Sequence, residues 1–328
     1  MRIFKCALFR IFCLATVPGL SHAAEAPLDS AKIAFDKGDY PKAIAILQSE
    51  ASKNPQNGEV QLLLAKSYLE TKQIDAAVSS AEKAVAIASE NSIYHQWLGQ
   101  AYGEKASHAS MFSAYALARK TQKEFETAVR LDEHNFDAAQ NLVEYDCTAP
   151  SMVGGGEDKA QPLVQKLLSV EPAEGHYAAG NCRQAKKDYA AAGVEFAKAL
   201  ESHPKSAERI CQIGDFFVEH GQPEKLRAVA AAGEAVTASD ARWKYYRAVA
   251  WILENEKLPD ADQLLREYIQ LAPVRSGYPK PWEAHYWLGR LHVAEKNPGA
   301  ARMEYEAALK QNSKYKRAQE ALKQLGNK

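Results

Sequence analysis

The 328-residue chain balances 41 basic against 41 acidic residues, a formal net charge of +0, with a 46% hydrophobic fraction. The balance gives no global basic excess of the kind that marks nucleic-acid or anionic-lipid binders. The apolar fraction is enough for a core, and its alanine content favours closely packed helices.

Residues 1–23 read as a secretory leader. Arg2, Lys5 and Arg10 form a positive segment, residues 11–20 a short apolar one, and Ser21-His22-Ala23 a small-residue cleavage site, placing the cut after Ala23. The alternative is a retained anchor, but the apolar run is about half of the ~20 residues needed to span a bilayer. Phe12 is too large to precede a lipid-bearing Cys13. Removal of the leader leaves a mildly acidic chain with no other run long enough to span, so the expectation is a soluble periplasmic protein. Cys6 and Cys13 leave with the leader. Cys147, Cys182 and Cys211 remain, which in an oxidising compartment allows at most one internal disulfide.

From residue 24 onward the strongest signal is self-similarity. Leu64-Ala65 with Tyr68 matches Leu98-Gly99 with Tyr102 at a shift of 34 residues. Ala179-Gly180 matches Ile213-Gly214 at the same shift, and Leu288-Gly289 continues the pattern. A small second residue lets one helix approach its partner closely while Leu and Tyr fill the seam. Second helices repeat Ala84-Val85, Ala128-Val129, Ala199-Leu200 and Ala308-Leu309. Pro55, Pro172, Pro204 and Pro273 punctuate them. These anchors predict helix pairs over 24–57, 58–91, 92–135, 136–172, 173–206, 207–241, 242–274 and 282–314. A linker occupies 274–281, and a capping helix with a tail covers 315–328.

On the Leu-Gly and Tyr positions the chain resembles tetratricopeptide (TPR) repeat proteins over nearly all of its mature length. The resemblance implies an all-α, right-handed solenoid of about eight helix pairs, whose first helices line a concave groove that binds peptides or partner proteins. The helical register then places Gln100, Asp137, Glu144, Tyr177, Asn181, Glu208, Asp215, Trp243, Tyr246, Tyr286 and Arg290 on the groove. Such a surface would grip an extended basic or polar peptide; the plainer reading is a solvated face. The carboxylate clamp of chaperone-binding repeats is absent, because Tyr177 stands one turn before Asn181 where a clamp needs a cation.

Two insertions depart from the repeat. Residues 103–112 add about ten positions to the third pair, a length expected to divide evenly between its two helices. Residues 147–158 carry Gly154-Gly155-Gly156 in the fourth. Stacking should bring both to one edge, making Met111, Phe112, Met152 and the three glycines a candidate partner site; the plainer reading is a turn that re-registers two helices. Pro150, Gly154, Gly155, Lys159 and Ala160 also resemble a loop found in TPR proteins similar to the TRAP-transporter T component and in a microtubule-dynamics regulator family; the leader argues against the latter. A phosphate loop is excluded by spacing, since Ala160 follows Lys159 and no strand precedes it.

No motif for a nucleophile, a zinc site or a cofactor is present. His285 and His292 read as packing. Cys147 and Cys182 fall on neighbouring first helices, compatible with a disulfide; buried free thiols are the other reading. The functional expectation is a non-enzymatic scaffold in the bacterial envelope that binds a protein or peptide, without nucleic acid, cofactor or metal. The alternative is a small-ligand-binding helper of a periplasmic transport system. Closed packing around a cavity would favour the helper and an open, continuous groove the scaffold.

Overall fold

The computed structural model describes residues 22–326, so residues 1–21 of the leader assignment lie outside the described residues. Seventeen α-helices follow one another, with no strand among the described residues. The pairs are α1 (His22–Asp36) with α2 (Tyr40–Lys53), α3 (Gly58–Glu70) with α4 (Ile74–Ile87), α5 (Ser92–Ser107) with α6 (Met111–Leu131), and α7 (Phe136–Thr148) with α8 (Glu157–Val170). Then come α9 (Pro172–Ala185) with α10 (Tyr189–Glu201), α11 (Ala207–Glu219) with α12 (Pro223–Val236), α13 (Arg242–Glu254) with α14 (Leu258–Leu271), and α15 (Pro281–Ala294) with α16 (Pro298–Gln311). Helix α17 (Lys316–Gly326) closes the stack by laying Ala318 into the core beside α16. The expected all-α solenoid of about eight helix pairs is what forms. No described helix is long and apolar enough to cross a membrane.

Local chemistry sets each element. Side chains of Asn57, Asn91, Asn135, Asp188 and Ser206 accept hydrogen bonds from the first free N–H groups of α3, α5, α7, α10 and α11. Pro172, Pro223, Pro281 and Pro298 open helices rather than stop them, since a first-turn residue needs no N–H partner. Within a pair the turn is made by one left-handed residue, Gly38, Lys72, Lys187, Gly221 or Lys296, and in the α13–α14 pair by two, Asn255 and Lys257. The two pairs without this turn, α5–α6 and α7–α8, are those with insertions.

The seam residues pack as their spacing implies. A Cβ on Gly99 would stand 2.5 Å from the Phe125 ring, and one on Gly180 2.5 Å from Phe196. Gly289 lies under Tyr305 in the same way. The repeat tyrosines bind the preceding second helix: Gln48 Nε2 donates to the Tyr68 hydroxyl (2.8 Å), and Tyr102 donates to Glu82 (2.7 Å). His176 pairs with Glu195 (2.8 Å) and His285 with Glu304 (2.7 Å), in each case 19 residues apart and joining the two helices of a pair. His95 does the same with Glu124 (2.6 Å) at 29 residues, so the inserted length leaves the latch intact.

The inserted length is not shared evenly. Helix α5 has 16 residues and α6 has 21, against 13 and 14 in α3 and α4. Most of the extension is therefore an overhang at the start of α6, where no residue before Thr121 is buried. The second insertion forms a short 3-10 turn, Ser151–Val153, beside α6.

The linker after α14 returns to the beginning of the chain. Ser276 Oγ donates to Glu70 (2.7 Å), and Gly38 lies so close to the Val274 carbonyl oxygen that a Cβ would collide with it. Arg242 holds the linker from the other side, donating to the Gly277 carbonyl (3.0 Å) with its guanidinium 4.4 Å from the Tyr278 ring centroid. The solenoid thus meets itself after seven pairs.

Candidate functional site: an acidic channel

The meeting of linker and first repeats puts Ser276 at the wall of an open space. A cavity of about 880 Å³ lies between α3, α5, α6 and α7, with Ser276 at one wall. A second, of about 480 Å³, lies between α7, α9, α10 and α11. Glu144 and Thr148 border both, so the two spaces adjoin along one open, acidic channel face.

Carboxylates dominate its charged lining. Glu70, Glu104 and Glu144 face the first space, Asp215 and Glu219 the second, and Lys72 is the lining cation. Lys72 is paired with Glu104 (3.0 Å). Glu144 and Asp215 have no ion-pair partner among the described residues; Asp215 is held by the Tyr246 hydroxyl (2.7 Å). Both side chains are exposed to solvent on the channel lining, although protein lies on several sides of them. Burial raises the Glu144 carboxyl above the usual carboxylate range and pushes Asp215 up to about 6. Asn141, also on the lining, has a buried Nδ2 with no hydrogen-bond partner among the described residues. Lys66 rests 4.4 Å from the centroid of Trp97, and burial lowers its pKa.

The expected groove residues divide into four groups. Gln100, Glu144, Tyr177, Asn181 and Asp215 line the channel. Asp137 and Glu208 are engaged by buried arginines: Arg209 bridges Asp137 and Glu174, each at 3.0 Å, while Arg242 reaches Glu208 at 3.1 Å. Tyr286 and Arg290 border a separate space of about 450 Å³ under α17.

Trp243 and Tyr246 correct the sequence reading. They are 1% and 0% exposed and belong to the core. Ala230 stands where the α10 pattern has Phe196, 34 residues earlier, so α12 offers no ring to cover Gly214. Tyr246 comes from the next repeat to fill that space, a ring carbon 2.6 Å from where a Gly214 Cβ would be, and Trp243 covers Gly233 likewise.

At the edge, the second insertion packs against α6 at Gln122, ten residues beyond the end of the first insertion. Gln122 Nε2 on α6 donates to the Gly154 carbonyl (2.9 Å) and to Asp146 (3.3 Å). Gly154 and Gly155 are buried, and Cβ atoms there would strike Gln122 and Ala149; they form an internal clamp rather than the partner surface expected of them. Gly154 and Gly156 hold φ of +105° and +155°, the conformations that require glycine here. Met111, Phe112 and Met152 are exposed. Cys147 and Cys182 are joined by a disulfide between α7 and α9, with Cα atoms 5.3 Å apart, and Cys211 is a buried free thiol.

Sequence reasoning missed Glu70, Asn141 and Ser276 as channel residues. Ser276 sits in a linker whose docking on a repeat more than 200 residues away leaves no local pattern. Among the described residues no group of three or more His, Cys, Asp or Glu is placed to hold a metal ion.

Comparisons with known proteins agree with this architecture. Two family models, both described as tetratricopeptide repeat, match residues 34–101 and 271–316. No curated protein matches the chain. Among solved structures, TTC0263, a thermophilic TPR protein of Thermus thermophilus, is 19% identical, with 59% of this chain and 98% of that one covered at a TM-score of 0.48. A tetratricopeptide repeat protein of Parabacteroides merdae is 14% identical over 92% and 98% (TM-score 0.41). The MamA protein is 24% identical over 55% and 91% (TM-score 0.40). With both family matches falling on its helix pairs, the chain carries tetratricopeptide repeats at residues 34–101 and 271–316.

Proposed function

We propose that the protein is a non-enzymatic interaction scaffold that receives a basic, extended polypeptide segment in its acidic channel, acting in the bacterial envelope after export on residues 1–23. Tetratricopeptide repeats are commonly protein-interaction scaffolds, which supports the general part of this reading. The observation that carries the specific part is the pair Glu144 and Asp215, carboxylates on the channel lining with no salt-bridge partner among the described residues. A lysine or arginine side chain entering the channel would relieve their desolvation. Asn141 Nδ2 offers an amide donor for a peptide carbonyl. The test is fluorescence anisotropy with a labelled Arg/Lys-rich peptide and an acidic peptide of equal length. Glu144→Gln or Asp215→Asn should weaken the basic peptide about tenfold, the scale of one charge-assisted hydrogen bond. Equal affinity for both peptides, or variants that bind like wild type, would reject the channel as the site. Export is tested by N-terminal sequencing of the protein from an envelope fraction, with Ala24 expected first.

A second reading, a small-ligand-binding helper of a transport system, is favoured by one feature. The Ser276–Glu70 contact borders a volume within the range of ligand pockets, roughly 300–1,000 Å³. Loosening that contact separates the two. A peptide that threads the channel should bind faster when it is open, whereas an enclosed small molecule should bind more weakly.

A further inference from the structure

The overhang of α6 is independent of the channel. From Lys105 to Lys123 the sequence holds Lys105, Arg119, Lys120 and Lys123 and no acidic residue, although the whole chain is charge-balanced. Met111 and Phe112, at the tip, are 84% and 90% exposed. Phe112, Tyr115, Arg119 and Lys123 recur at helical spacing, so they form one stripe, opposite the buried face of Thr121, Phe125 and Ala128. The 3-10 turn adds Met152, 70% exposed, next to α6, on a loop with no charged residue from Ala149 to Gly156. Lys105 is paired with Asp75 and Lys120 lies over the Tyr102 ring, but Arg119 and Lys123 have no carboxylate partner among the described residues.

Large apolar side chains held outermost on a rigid helix, with unpaired cations behind them, match the layering of a bilayer surface. The tip is convex, which disfavours it as a socket for a helix or peptide. Arg119 lies about 10 Å behind Phe112 along the helix axis, the depth at which headgroup phosphates would stand if Phe112 reached the acyl boundary. We propose that this edge is a peripheral membrane-docking site: Met111 and Phe112 enter an anionic phospholipid surface tip-first, Met152 adds a second apolar contact, and Arg119 and Lys123 bind the phosphates. Docking in this orientation leaves the channel, which lies on the concave side, free for its own ligand.

The experiment is co-sedimentation of the purified protein with vesicles of phosphatidylethanolamine and phosphatidylglycerol, compared with vesicles of phosphatidylcholine alone. The expected result is binding to the anionic vesicles that weakens with added salt, and little binding to the neutral ones. The double variant Met111→Ser/Phe112→Ser should lose at least about tenfold in partitioning, since burial of a single aromatic side chain accounts for that much. Arg119→Glu should lose about fivefold. These side chains are solvent-exposed, so the variants should retain the wild-type melting temperature. The proposal is overturned by wild type that ignores the anionic vesicles, or by a Met111→Ser/Phe112→Ser variant that sediments like wild type. It is equally overturned if wild type ignores vesicles but forms a dimer that this variant dissolves, an outcome that assigns the edge to a second copy of the chain.

Discussion

Ser276 donates a hydrogen bond to Glu70 across 206 residues of sequence. The contact joins the linker before the eighth helix pair to the second pair and places Ser276 on the wall of the channel. The backbone supports it: Gly38 has φ +78°, and its missing Cβ leaves room for the Val274 carbonyl. Gly38→Ala should displace residues 273–278 and cost about 1–2 kcal/mol from the left-handed backbone alone. Hydrogen exchange should then accelerate in that linker, and the radius of gyration in solution should rise. Unchanged exchange there would mean the linker is not held by this contact.

The seam glycines should respond to substitution according to what faces them. At Gly214 a Cβ meets the Tyr246 ring at 2.6 Å, and Tyr246 is wedged in the core. Gly214→Ala is expected to destabilise by about 1–3 kcal/mol through overpacking. Gly103, inside α5, has only a Thr121 methyl at 3.6 Å, so Gly103→Ala should instead stabilise by about 0.5–1 kcal/mol through helix propensity. Urea denaturation of the two variants measures the difference; the same sign for both would contradict the packing described.

Cys147 and Cys182 are 35 residues apart, and their bond ties two first helices. Reduction should lower stability by about 2–4 kcal/mol, the usual range for a disulfide closing a loop of this order. Under non-reducing, denaturing alkylation, mass spectrometry should find label on Cys211 and none on Cys147 or Cys182. In the native protein Cys211 should resist labelling near neutral pH, because it is buried and burial pushes its thiol up to about 12.

The channel carboxylates imply a pH dependence with a definite sign. Burial raises Asp215 from 3.8 to about 6, so the folded chain binds more protons than the unfolded one between those values. Its contribution to stability is therefore full below about pH 4 and is lost as pH rises through about 6. Asp146 is pushed to about 6 by burial too and acts in the same direction. Asp215→Asn should flatten the stability profile across this interval. A cationic peptide favours the ionised form, so its affinity should rise from pH 5 to pH 7 in wild type and stay level in a Glu144→Gln/Asp215→Asn double variant. Affinity that falls over that interval would exclude these carboxylates as the binding groups.

Much of the fold is written locally. The 34-residue step recurs in the left-handed turn residues Gly38 and Lys72, and again in Lys187, Gly221 and Asn255. It recurs in the small residues of the seam, and in helix-capping Asn57 and Asn91. Each feature needs only its own turn of chain, so spacing alone is enough to read it. The site was less legible. Register placed Glu144, Asn181 and Asp215 correctly on the concave side, but it also placed Trp243 and Tyr246 there. Those two rings are drawn inward by gaps in a different helix, at Ala230 for Tyr246 and at Gly233 for Trp243, which no register within α13 can reveal.

By itself, then, the sequence determined the helices, their pairing and the face each presents, because these follow from interactions among residues within one repeat or its neighbour. Only the tertiary structure decided that Ser276 borders the channel, that Glu144 and Asp215 stand on it without salt-bridge partners, and that the glycine loop is an internal clamp under Gln122. Those outcomes depend on how small rotations accumulate over seven pairs until Ser276 meets Glu70, and on which side chain is available to fill each gap. Both are properties of the assembled stack, absent from any single repeat.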